Sequence, residues 1–297
     1  MKIALHTTLD GRQHEPLAEY LAGVGQALEE RGFSSVWIAE HVVTFKQFDP
    51  KYPYPYADGG VIPPFMPEIG IVDPLTVLTA LAMATKTIRL GSGVAILPQR
   101  NPVYFAKMAT GIDLLSNGRF VAGVGLGWTA QEYEALQTPF EHRGSRMRDY
   151  LQVVRSLWCD EVSSFEGPYY RLPECIQLPK PVQKPHPPFF FGGEGEPAMR
   201  RVAEFGGGWI AFRLTPDELA ARLPMLEDML AQRGRSLADI EITLSPVDKP
   251  CGPDELRRFA ELGVAELIIP VAADSLASFR QQVDQIAETW MPLARTL

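Results

Sequence analysis

The sequence predicts a (β/α)8 TIM barrel of the α/β class, on three observations. Eight apolar segments of strand length recur along the chain, and most are continuously apolar. Strands of a parallel sheet covered on both faces have that pattern, whereas half-exposed strands alternate. Amphipathic helical stretches with readable ends separate the segments. The alternation runs to the end of the chain, and eight strand–helix units suit a closed barrel better than an open doubly wound sheet.

The expected strands are KIALHTT (2–8), SVWIAEH (35–41), IRLGSGVAIL (88–97), RFVAGVGLG (119–127), PFFFGG (188–193), GWIAF (208–212), IEITLS (240–245) and AELIIPV (265–271). Asp73-Pro74 starts one intervening helix, with a side-chain acceptor at the N-cap and proline at the first helical position. Asn101-Pro102 and Thr215-Pro216-Asp217-Glu218 start two others in the same way. Gly32 and Gly263 stand where helix C-terminal glycines belong, each just ahead of a strand.

Two segments break the rhythm, one after the second strand and one before the fifth. Residues 44–70 carry six prolines and three tyrosines, and 161–188 carry seven prolines around a hairpin-like piece, SFEGPYYRL. Both are too long to be plain connections. Loops that follow barrel strands build the active-site face, so 44–70 is a candidate lid and otherwise a tolerated surface insertion.

The composition narrows the class. With 297 residues, 46% hydrophobic and 22% charged, the chain is expected to form one globular domain spanning 1–297. A net charge of −8 without any Lys/Arg block speaks against a nucleic-acid partner. Cys159, Cys175 and Cys251 lie far apart and form no disulfide framework or C-x-x-C pair. No apolar run is long enough to span a membrane and no leader pattern is visible, so a cytoplasmic enzyme is expected. His6, His14, His41, His142 and His186 show no metal-ligand spacing. No nucleophile elbow is present either.

Two glycine-rich stretches invite a ligand. In GVGLGW (123–128) the glycines recur at every second position, which puts them on one side of a strand. They clear room either for close packing or for a flat ligand at the strand end. A dinucleotide fingerprint is not met, because position 128 is Trp and the run lies on the fourth strand. FFFGGEGEPAMRR (189–201) runs from strand into Gly192-Gly193-Glu194 and then into a helix, an arrangement whose amides and dipole attract phosphate. His6 inside the first strand and His41 ending the second would face the barrel mouth if their parity is inward.

Four stretches together resemble the bacterial-luciferase-like oxidoreductases. They are GFSSVWIAEH (32–41), DPLTVLTALAMATKTIRLGSGVAILPQRNP (73–102), LLSNGRFVAGVGLGWTAQEYEALQTPFEHRG (114–144) and the run from Phe165 to Trp209. The resemblance covers nearly the whole chain, and PYPYADGG with KPVQKPHPP looks most like the F420-dependent subgroup. It implies a barrel binding coenzyme F420 or, alternatively, FMN. Glu40 and His41 match an acidic-His pair that meets the cofactor, with His41 at the reactive ring carbon. Ala95 and Ile96 lie in a matching bulge behind the ring that often contains a non-proline cis peptide. Gly127 and Gln131 match positions near the cofactor, and Gly192, Gly193 and Glu194 match the phosphate loop. Leu126 stands where FMN enzymes of this type often carry an arginine, and Trp128 where one sugar-phosphate-oxidising branch carries a glutamate.

The expected reaction is therefore hydride transfer between F420 and a small organic substrate, with His41 as acid/base. His6, Phe45, Trp128 and the tyrosines of 52–56 are expected to wall the substrate pocket. The alternatives are an FMN-dependent monooxygenase using reduced flavin and O2, and a cofactor-binding barrel without catalysis. Relatives of this kind commonly pair as homodimers, and no metal is implied.

Overall fold

The computed structural model describes residues 1–7, 15–47 and 70–297. His14, the three tyrosines of 52–56 and nearly all of the candidate lid lie outside the described residues. In chain order, β1 (Lys2–Thr7) leads through α1 (Leu17–Glu30) to β2 (Ser35–Ile38). Next come α2 (Pro74–Ala84), β3 (Arg89–Ser92), the short β4 (Ala95–Ile96), α3 (Pro102–Leu115) and β5 (Phe120–Gly125). Two helices, α4 (Ala130–Ala135) and α5 (Arg143–Cys159), then precede a hairpin of β6 (Ser163–Glu166) and β7 (Arg171–Cys175). The chain re-enters the barrel as β8 (Phe189–Gly192), followed by α6 (Glu196–Phe205) and β9 (Gly208–Phe212). It finishes with α7 (Pro216–Ala220), α8 (Leu223–Ala231), β10 (Glu241–Ser245), α9 (Pro253–Glu261), β11 (Val264–Val271) and α10 (Leu276–Ala294).

Eight parallel strands close on themselves in the order β1, β2, β3, β5, β8, β9, β10, β11. The expected barrel is thus present. Its strands read as continuously apolar because both faces are buried. Phe189 and Phe191 on β8 pack into the shell under the helices, while Phe190 points into the barrel with Ala4, Trp37, Val121, Ile210 and Ile268. The expected caps are in place: Asp73 accepts from the Thr76 amide (3.0 Å), Asn101 from Val103 (2.9 Å), and Thr215 forms a reciprocal box with Glu218. SFEGPYYRL is the antiparallel β6–β7 hairpin. No described helix is long and apolar enough to cross a membrane.

Three strands depart from their expected bounds by more than a residue at the upper rim. The 88–97 run is broken: β3 stops at Ser92, the Gly93–Val94 peptide is cis, and β4 resumes beside β5. The apolar run conceals this bend because the bend is fixed from outside, by the Gly93 amide donating to the Ile38 carbonyl (2.7 Å). The second strand ends at Ile38 and the fourth barrel strand at Gly125, leaving 39–41 and 126–128 as loops.

The lower rim is tied by side chains bonding backbone. One Glu29 carboxylate oxygen accepts from the amides of Lys86, Thr87 and Ile88. Arg119 donates to the carbonyls of Ala82, Thr85, Ile88 and Ser116. Asp113 accepts from the amides of Val182 and Gln183, which anchors the proline-rich segment beneath the barrel.

Candidate active site

At the C-terminal ends of the strands lies a cavity of about 760 Å³. It is lined by Ala39–His41 after β2, Gly93, Val94 and Ile96 around the bend, and Gly125–Ala130 from the end of β5. Gly192 and Gly193 at the end of β8, Ala198 and Arg201 of α6, Ile210 and Phe212 of β9, and Phe140 and Arg143 at the start of α5 complete the lining. Active sites of (β/α)8 barrels occupy this face.

His41 is held by a residue that sequence reading passed over. Its Nδ1 lies 3.3 Å from Oε2 of Glu132, a fully buried carboxylate in α4. The other Glu132 oxygen, Oε1, accepts from the Val42 amide at 2.6 Å, while Gln99 Nε2 donates to Oε2 at 3.4 Å. With Nδ1 donating to Glu132, Nε2 is the nitrogen free to exchange a proton with a ligand. Trp128 packs edge-on against the imidazole, with ring centroids 6.0 Å apart. The signal for Glu132 was its place in the first turn of a helix that starts directly behind a strand end.

Glu40 lines the cavity, but its carboxylate is already engaged. It accepts from the Ile96 amide at 2.5 Å and from Arg100, which also pairs with Asp73. Burial raises the Glu40 pKa above the usual carboxylate range, against the pull of Arg100. Burial pushes Asp73 up as well, but its bonds to Arg100 and to α2 amides outweigh that and hold it low. Glu40 and Arg100 therefore brace the bend.

The glycines divide into two roles. A Cβ on Gly123 would lie 1.8 Å from the Ser92 carbonyl oxygen, so this glycine serves close packing of the bend against β5. A Cβ on Gly125 would meet Val94 at 2.5 Å, and one on Gly192 would meet it at 3.2 Å. Val94 thus lies between two bare stretches of backbone as an aliphatic cavity floor. Gly127 lies beyond the strand at φ +67°, so its alternation with Gly123 and Gly125 is not a shared strand face.

His41, Glu40, Ile96, Gly127, Trp128, Gly192 and Gly193 come together in the cavity. The side chains of His6, Phe45, Ala95, Gln131 and Glu194 are not among its lining. Ala95 is buried in the shell under the helices. Gln131 donates to the Gln47 carbonyl (3.0 Å), and Glu194 accepts from the Phe212 amide (3.0 Å). His6 has the inward parity of Ala4, and burial lowers its pKa to about 4, so it is neutral at pH 7. Phe140, Arg143, Arg201, Ile210 and Phe212 are among the lining residues that sequence reading missed. Among the described residues no cluster of three His, Cys, Asp or Glu side chains could hold a metal.

A closed parallel barrel with a cavity at this rim and these motifs defines an oxidoreductase of the luciferase-like class. Residues 1–247 match the luciferase-like monooxygenase family, and the chain belongs to it. An uncharacterised protein of Mycobacterium tuberculosis (strain ATCC 25618 / H37Rv) is 30% identical over 270 residues, covering 88% of this chain and 92% of the relative. The coenzyme F420-dependent tetrahydromethanopterin reductase of Methanopyrus kandleri shares the fold with a TM-score of 0.75 at 15% identity, covering 98% of both chains. So does the FMN-bound oxygenating constituent of 3,6-diketocamphane monooxygenase from Pseudomonas putida, with a TM-score of 0.73 at 15% identity over 98% of both chains.

Proposed function

We propose that this enzyme transfers a hydride between coenzyme F420 and a small organic substrate. The observation that carries the reading is a buried carboxylate–imidazole pair, Glu132–His41, at the edge of a cavity floored by Val94. The residues fit a flat ring: Gly125 and Gly192 leave Val94 exposed to it, and Ile210 adds a second aliphatic surface. Leu126 in place of the arginine common in FMN enzymes favours the deazaflavin. When bound, the cofactor supplies a two-electron carrier.

The chain's own residues handle the proton and the water. As a hydride leaves or joins a substrate carbon, the proton on the substrate oxygen passes to or from Nε2 of His41. Glu132 orients the ring for that exchange. Trp128 and Phe212 narrow the cavity and exclude water. Exposed Met83, Tyr104, Met108 and Leu115 on α2 and α3 support a homodimer through those helices.

Glu132→Gln is expected to lower kcat by about 10²-fold through a misplaced imidazole. Cofactor affinity should stay unchanged and Glu132→Asp should recover part of the rate. A Glu132→Gln enzyme with full kcat would remove Glu132 from the machinery. The function itself is tested by titrating the purified chain with F420 and FMN side by side. A dissociation constant of about 1 μM for F420, with FMN weaker by about tenfold or more, is expected. The reverse order supports the FMN-dependent alternative, and binding of neither overturns both.

A further inference from the structure

Helix α4 opens with the residues of a capping box that it does not form. Thr129-Ala130-Gln131-Glu132 has the spacing at which a threonine hydroxyl and a glutamate carboxylate each bond the other's backbone amide. Thr215-Pro216-Asp217-Glu218 has the same spacing and makes both bonds. At α4 the Thr129 hydroxyl caps nothing and is buried without a partner among the described residues. Glu132 turns its carboxylate away from its own helix, to Val42, His41 and Gln99. A helix without its cap is less stable, so the placement of this carboxylate is explained by the partners it gains.

Gln99 joins the Glu132–His41 pair to the cavity floor. It closes the Leu97–Gln99 turn directly after β4, and the amide of Ile96 in β4 ties the bend to Glu40. A Cβ on Gly127 would lie 3.5 Å from Gln99 Nε2, so the backbone after β5 is bare where the amide passes. Nε2 donates to Oε2 of Glu132, the same oxygen that His41 Nδ1 faces. The reverse orientation would set the amide oxygen against a carboxylate oxygen, so the carboxylate fixes which way the amide points. Gln99 Oε1 is left buried with no donor among the described residues, a cost that a methionine of similar size would avoid. The amide is therefore kept for what its nitrogen does. A lysine or arginine at this position would neutralise Glu132 and take it from His41, its only ion-pair partner among the described residues. A neutral donor steadies the carboxylate and leaves its charge to the imidazole.

We infer that Gln99 is a positioning residue for His41. By holding Oε2 of Glu132 it keeps Nδ1 of the ring hydrogen-bonded and leaves Nε2 for the ligand, in register with the floor that Val94 provides. The effect on turnover rests on the proposed hydride transfer, whereas the effect on the ring does not.

The ring is tested by NMR of the ligand-free chain carrying isotope-labelled histidine. The His41 Nδ1–H signal, identified by its absence in His41→Ala, is expected as a resolved, slowly exchanging resonance in wild type. In Gln99→Met its exchange with water should be about tenfold faster, because the carboxylate is then free to turn from the ring. Gln177→Met is the matched control. That glutamine is also buried with an orphan Oε1, but its amide bonds Thr110 at 3.2 Å, so its loss should leave the His41 signal as in wild type. No resolved signal in wild type, or the same exchange in Gln99→Met, overturns the assignment.

In turnover, Gln99→Met should lower kcat about tenfold with KM and cofactor affinity unchanged. Gln99→Glu keeps the shape of the side chain. While the new carboxyl holds its proton, its O–H replaces the amide donor; once ionised, it sets two carboxylates face to face. The kcat of Gln99→Glu relative to wild type should therefore fall as pH rises, which lost packing alone would not produce. A deficit that is uniform across pH and accompanied by a lowered Tm in both variants makes Gln99 a packing residue and overturns the proposal. A changed Nδ1–H signal in a chain that binds neither F420 nor FMN keeps Gln99 as the residue that holds the ring and overturns the F420 reading.

Discussion

His41→Ala is expected to lose turnover by about 10²–10⁴-fold while binding cofactor as wild type does, which is the range that a positioned proton-transfer group supplies. The imidazole lies against Trp128 of the cavity wall and against the buried Glu132, so its removal takes away a titratable nitrogen without opening the barrel. His41→Gln keeps a hydrogen-bonding side chain beside Glu132 but cannot exchange the proton, and should be as slow as alanine. Steady-state kinetics with parallel cofactor titration separates the outcomes. Undiminished kcat in either variant assigns the proton elsewhere.

The largest effect on stability is expected at Arg100. Its guanidinium is the only cation paired with Glu40 among the described residues, and the Glu40 side chain is 1% exposed. Arg100→Met leaves that carboxylate buried with the Ile96 amide as its remaining partner, a loss of about 3–5 kcal/mol. The pH dependence has a definite sign. Glu40 already stands above the usual carboxylate range through burial, and without Arg100 it rises further. A raised carboxyl favours the fold while protonated and destabilises it as pH climbs through its folded value. Asp73, held low by Arg100, returns upward in the same variant, so the stability it contributes above its unfolded pKa is lost too. The deficit against wild type should therefore be larger at pH 8 than at pH 5. Glu40→Gln in the Arg100→Met background should recover part of it. Denaturation midpoints at the two pH values check this; an equal deficit at both would show that packing, not charge, is what Arg100 supplies.

The barrel was legible because local chemistry and overall fold agree in most of the chain. Phe189-Phe190-Phe191 is apolar on both faces because the strand is buried on both, and Asp73, Asn101 and Thr215 cap their helices through bonds made within four residues. The site was legible only where a motif carried it, as at Glu40-His41 and Gly192-Gly193. Contacts between distant parts of the chain left no periodic trace. Glu132 reads as one more polar residue of an amphipathic helix, yet it is buried against His41, 91 residues away. Arg143 and Arg201 read as surface charges on helices that nothing in their spacing joins. GVGLGW looked uniform, whereas Gly123 is needed by Ser92, Gly125 by Val94, and Gly127 by its own backbone angle.

The bonds that Glu29, Arg119 and Asp113 make to the backbone beneath the barrel have a consequence for how such a chain can change. They fasten the strand entrances by side chains that never approach the cavity, so inheritance can alter one rim while the other keeps its register. A lineage could trade its upper loops for others, and with them its substrates, without first relearning how to close the cylinder.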